Sequence, residues 1–276
     1  LADYGNRIPN FTFEVRKKAQ VADYNGQITE NLVTGMITIP GAGEYVYDTD
    51  IQTKLPGEEA DGNFVQAGFT ETVNMHNPYG IANSTLSLDH LQETCPNTEW
   101  VGVVVSWFGD SLDAATCDVM PGEEDQVGAT TSPDEWNVAN YSRSTARLIT
   151  QIDGSPIYGG TPDDTSLLRY LDELKSRGYK VMLYPMLFMD VSGKPWRGQL
   201  TGAAASINNF FMKPLGFNAF INHYAALTKD KIDAIVIGSE MIGLTKVTDT
   251  PGNYPAVNEL ISLAASVKTT VGSGVK

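Results

Sequence analysis

Residues 100–108 read WVGVVVSWF, an apolar run interrupted only by Gly102 and Ser106. A strand with water on one face alternates apolar and polar residues. A run like this one needs cover on both faces, as a parallel strand between helices has. Two further runs share the character, KVMLYPMLF (180–188) and DAIVIGS (233–239), and ARLITQI (146–152) is a weaker candidate. Helical patterns separate them. Strand and helix in this rhythm predict βα units and a parallel sheet, an α/β fold. A complete (β/α)8 barrel takes about 250 residues. Four strands within 100–239 therefore predict the first half of such a barrel.

The helices announce themselves by their ends. In TPDDTSLLRYLDELKSRGY (161–179), Thr161 is a cap, Pro162 suits the first turn, and Asp163 and Asp164 favour the positive end of the helix dipole. Leu167, Leu171 and Leu174 form its apolar stripe, and Gly178 stops it. A short helix precedes Pro96, and FNAFINHYAALTK and YPAVNELISLAASVKTTV supply two more. Residues 109–143 are a long polar excursion. Residues 1–83 differ from the rest: FTFEV (11–15) and GMITIPGAGEYVY (35–47) cluster β-formers among turns. The organisation expected is a β-rich N-terminal segment over 1–83 and the half-barrel over 84–276.

The charge narrows the function. Nineteen Lys and Arg stand against 33 Asp and Glu, a net charge of −14. Nucleic acid and anionic lipid are repelled by such a surface, whereas neutral polymers such as glycans are not. No apolar stretch reaches the 18 or so residues of a membrane span. LADYGNRIPN lacks the basic and apolar regions of a signal peptide, and its start at Leu1 reads as part of a longer protein. Cys95 and Cys117 flank a strand that extends about 26 Å, so both are expected to be free thiols. Neither they nor the scattered His76, His90 and His223 have the spacing of a metal site, and no cofactor motif is present.

In parallel sheets of this kind, ligands sit at the carboxyl ends of the strands. Asp110, Asp190 and Glu240 each follow an apolar strand, and Trp107, Tyr184 and Trp196 lie in or near the same ends. Carboxylates beside aromatic faces are the equipment of a glycan site. An Asp after a strand is also a common turn residue. Glu240, followed by apolar MIGL, fits that role less well and is the candidate proton donor. In that role it should be partly buried and without a cation.

Several strings are familiar together. SLDHLQETCPNTEWVGVVVSWFGDSL, YGGTPDD, YPMLFMD and IGSEMIGLTKVTDTPGNYPAVNELISLAASV resemble the TIM-barrel-like, glycoside-hydrolase-like domain of tail-tip host specificity proteins of gene transfer agents and siphophages. YGNRIPNFTFEV is similar to the tail-hub region that precedes that domain. The resemblance implies a virion or particle tail-tip protein, made in the bacterial cytoplasm. Its partners would be other tail and baseplate proteins and cell-surface polysaccharide or peptidoglycan. It places Glu240 where barrel glycosidases carry their acid/base, and Asp110 and Asp190 at matching strand ends. A non-catalytic structural or glycan-binding module is the alternative.

Overall fold

The computed structural model describes residues 28–41, 43–55, 70–124 and 130–276; FTFEV lies outside them. A parallel sheet forms the frame. Its strands are β1 (Gly35–Gly41), β2 (Trp100–Gly109), β3 (Lys180–Met189) and β4 (Ala234–Ile235), hydrogen-bonded in that order. β2 and β3 are in register over their whole length, from Lys180 opposite Trp100 to Met189 opposite Gly109. Beyond β4, Lys276 donates to the Asp233 carbonyl at 2.9 Å and accepts from the Ile235 N–H at 3.1 Å. That is the ladder pattern of a further parallel neighbour.

Helices cover one face. They are α1 (Asn83–Thr94), α2 (Asp164–Ser176), α3 (Ala204–Met212), α4 (Phe217–Thr228) and α5 (Pro255–Val271). Val101, Val103, Val105 and Trp107 of β2 and Val181, Leu183 and Leu187 of β3 join one core with Leu167, Leu171 and Leu174 of α2 and Phe220, Ile221 and Tyr224 of α4. On the other face Met182, Tyr184, Met186 and Phe188 are only partly covered, alternating with the buried residues of β3. The fold is mixed α/β and TIM-barrel-like, as the rhythm of runs predicts.

Two expectations are corrected. Residues 146–152 are no strand of this sheet; β2 lies between β3 and Gly35–Gly41, so the sheet starts ahead of residue 84. In 146–152 only Arg147 and Leu148 pair with Gly122 and Glu123, and Gln151 and Ile152 form a small hairpin with Ser155 and Pro156. Its apolar residues explain this: Leu148 and Ile152 are exposed, and only the small Ala146 and Ile149 are buried. The cap of α2 is Asp163, whose carboxylate accepts the Ser166 N–H at 2.9 Å. Thr161 instead accepts from the Gly122 N–H and donates to the Ser106 carbonyl, which ties the loop to β2. Helix α3 has no counterpart in the sequence reading. Ile207, Phe210 and Phe211 bury it, but Asn208 and Asn209 interrupt its periodicity.

Both cysteines are free and buried. Cys95 caps the end of α1 and Cys117 sits near the end of β2, so the strand separates them as predicted.

Candidate functional site

Asp110 and Asp190 directly follow β2 and β3, neighbouring parallel strands, and meet at one rim. What joins them is Arg147. Its Nε donates to Asp190 Oδ2 at 2.8 Å and its Nη1 to Asp110 Oδ2 at 3.3 Å. The Asp190 side chain is fully buried and also takes the Thr150 N–H, at 3.3 Å. Asp110 accepts the Asp118 N–H at 2.8 Å. The two carboxylates thus hold the 118 and 147–150 loops onto the rim. Arg147 was missed in the sequence because it lies 37 and 43 residues from its partners, inside a segment that reads as a strand.

Tyr158 closes the partly covered face at the same end. Its ring packs at 5.7 Å from Phe108 and 5.5 Å from Phe188, and the Lys194 ammonium stands 4.7 Å over it. Burial and then the nearby Asp190 charge push its phenol up. The YGGTPDD string is thereby a junction. Tyr158 covers the sheet, Asp163 caps α2, and Asp164 pairs with His223 of α4 at 2.9 Å.

Glu240 lies five residues beyond the end of β4, with its backbone at φ +56°, a left-handed conformation uncommon for a glutamate. Its Oε2 accepts the Trp196 indole N–H at 2.6 Å and pairs with Arg197 at 2.7 Å. Arg197 Nε also donates to the Ser239 carbonyl at 3.1 Å. Trp196 remains 49% exposed and the Glu240 side chain 53% exposed. The expected environment of a proton donor, partial burial without a cation, is therefore not what surrounds Glu240. Arg197 stands beside Trp196 in the sequence, but nothing in that adjacency reveals its partner.

Two residues fall elsewhere. Trp107 points into the helix-covered core, 3% exposed and stacked on Phe220 at 5.3 Å, because odd-numbered residues of β2 face the helices. Tyr184 lies on the partly covered face, five residues and about 16 Å short of the end of β3. The structure therefore joins Asp110 with Asp190, and Trp196 with Glu240. It separates Trp107 and Tyr184 from both.

Against known families, one stretch of the chain matches. Residues 215–276 match the GTA TIM-barrel-like domain. The match covers α4, β4, Glu240 and α5, and it is the domain that the sequence strings resemble. No curated protein matches the chain. Solved structures that match include a GH113 β-1,4-mannanase, at 18% identity over 67% of this chain and 46% of that one, with a TM-score of 0.39. Another is the GH113 β-mannanase AaManA from Alicyclobacillus acidocaldarius in complex with ManMIm, at 14% identity over 63% and 41%, TM-score 0.37. The chain spans less than half the length of these structures. Among the described residues, no group of three or more His, Cys, Asp or Glu side chains is placed to hold a metal, and no helix is long and apolar enough to cross a membrane.

Proposed function

We propose that this chain is a segment of a phage or gene-transfer-agent tail-tip protein whose barrel meets cell-envelope glycans, and that this segment binds them at Trp196. The GTA TIM-barrel-like match supports the particle. The observation that carries the binding role is the indole itself. Trp196 is half exposed, beyond the carboxyl ends of β3 and β4, and its N–H is fixed on a carboxylate that Arg197 holds in turn. An orientated aromatic face with one edge satisfied is suited to stacking on a sugar ring. Titrating the protein with soluble peptidoglycan fragments should quench its tryptophan emission saturably. Trp196→Ala should weaken that binding at least about tenfold, the scale of one aromatic contact, with unfolding temperature unchanged. Equal binding by the variant would refute the reading. Antibody labelling of purified particles away from the tail tip would refute the assembly role.

Hydrolysis is the second reading, favoured by the constrained φ of Glu240, since backbone strain is concentrated at functional positions. It requires a second carboxylate about 5–9.5 Å away. Glu240→Gln should then abolish release of reducing ends while binding persists.

A further inference from the structure

The carboxyl end of β1 leads into a cavity of about 380 Å³ that neither rim cluster uses. β2 and β3 lie between β1 and β4 in the sheet, and the cavity lining shares no residue with either rim cluster. Glu44 and Glu124 line it together. Glu44 takes two hydrogen bonds from the Arg143 guanidinium, at 2.7 and 2.6 Å, and the Glu124 N–H at 2.9 Å. Burial works against the charge of Arg143, but the pairing with Glu44 outweighs it and its pKa is raised. Glu124 is held by a backbone donor, the Gly160 N–H, at 2.7 Å. A Cβ at Gly160 would lie 2.7 Å from Glu44 Cγ and 3.3 Å from Glu124 Cγ. The two Cγ atoms are therefore within about 6 Å of each other, the sum of those distances, and residue 160 has to be glycine. Burial, and then the Glu44 charge, push the Glu124 carboxyl up.

The remaining lining includes Lys54, Asn74, His76 and Asn83. Asn83 Oδ1 accepts from the His76 backbone N–H and from the Asn77 side-chain Nδ2, which fixes its amide. Its Nδ2 then donates to His76 Nδ1 at 2.9 Å and leaves the imidazole proton on Nε2. The cavity combines fixed donors and acceptors with both signs of charge. A phosphate or carboxylate would meet two glutamates, and an ammonium would meet Lys54 and the Arg143 behind Glu44. A neutral polar ligand meets neither cost. At about 30 Å³ for each water, the volume has room for about a dozen waters, space enough for one hexose ring.

We infer that this cavity binds a neutral polyhydroxylated group the size of one sugar ring, with Glu124 hydrogen-bonded to it. The inference is independent of Trp196 and Glu240. The chain has three histidines, His76, His90 and His223, so the imidazole resonances make a sparse reporter. Glucose and N-acetylglucosamine are titrated in turn, with inorganic phosphate and methylammonium as charged controls. His76, assigned with a His76→Gln variant, should shift saturably with at least one sugar, while His90 on α1 and His223 on α4 stay still. A millimolar Kd suits a ligand of about a dozen atoms. Glu124→Ala should weaken binding about tenfold, and Glu124→Gln, which keeps shape and hydrogen bonding, should bind within about threefold. An unshifted His223 resonance shows that each variant is folded. If Glu124→Ala fails that check, His76→Ala, on the exposed loop, replaces it, and the sugar's own saturation-transfer signal should then weaken. Unchanged binding by the folded variant overturns the inference, as do a non-saturable response to both sugars and saturation by phosphate or methylammonium alone. Since Trp196→Ala leaves this cavity intact, it should not alter the His76 response, so the two sites can fail separately.

Discussion

Residues that look alike in the sequence have opposite roles in the fold. Asp190 is buried against an arginine, Glu240 is half exposed beside one, and Glu124 sits among backbone donors beside a second glutamate. Glu124 should therefore show in the pH dependence of stability. Its folded-state pKa is raised, so the folded protein holds that proton more tightly than the unfolded chain. The contribution is fully present below the unfolded value of about 4.3 and is lost as pH rises through the folded value. Glu124→Gln cannot ionise. It should be the more stable protein near neutral pH, and its advantage should vanish near pH 4. Unfolding temperatures of both proteins across pH 4–8 measure this, and parallel curves would contradict it. Nothing in the sequence identifies Glu124, because its partner Glu44 is 80 residues away and Arg143 is 99 residues from Glu44.

Elements were readable where burial is deep. β2 is buried on both faces, β3 is buried on its helix face and partly covered on the other, and α2 shows its stripe and stop. β1 was harder to place, since Ile37 is 45% and Ile39 67% exposed and GMITIPG carries a proline and two glycines. Residues 146–152 misled in the opposite sense. Their β-forming residues serve a loop whose purpose is to deliver Arg147 to the rim. Arg147→Met should therefore cost far more than a surface substitution. It leaves the fully buried Asp190 carboxylate without its cation, a change that typically costs 3–5 kcal/mol. Because Arg147 is itself 26% exposed, we expect about 3 kcal/mol. Arg147→Lys should recover only part, as a point charge cannot hold both Asp110 and Asp190. Denaturant unfolding of the two variants gives the comparison, and a loss under about 1 kcal/mol in Arg147→Met would mean that solvent already screens the pair.

At the scale of the molecule, the question is whether the sheet can be divided at residue 83. The pairing says that it cannot. β1 supplies the whole of one neighbour to β2, with Met36 opposite Val101 and Thr38 opposite Val103. The chain that follows β1 is just as deeply involved. The Tyr47 ring packs 4.9 Å from Tyr170 of α2 and its hydroxyl donates to the Val104 carbonyl at 2.6 Å. Asp48 accepts from Ser166 and pairs with Arg169 at 3.1 Å. A chain beginning at residue 84 would expose the edge of β2 and leave Arg169 without Asp48 and Asp50. It should lose cooperative unfolding and adopt no fixed side-chain packing. The cysteines report this directly. In the intact chain both are buried, and burial pushes the Cys117 thiol up to about 11, so neither should react with a thiol reagent near neutral pH until the protein unfolds. In the truncated chain both should react at once without denaturant. Protection of both thiols in the truncated chain would mean that residues 84–276 fold alone, and the boundary at 83 would then be a true domain limit.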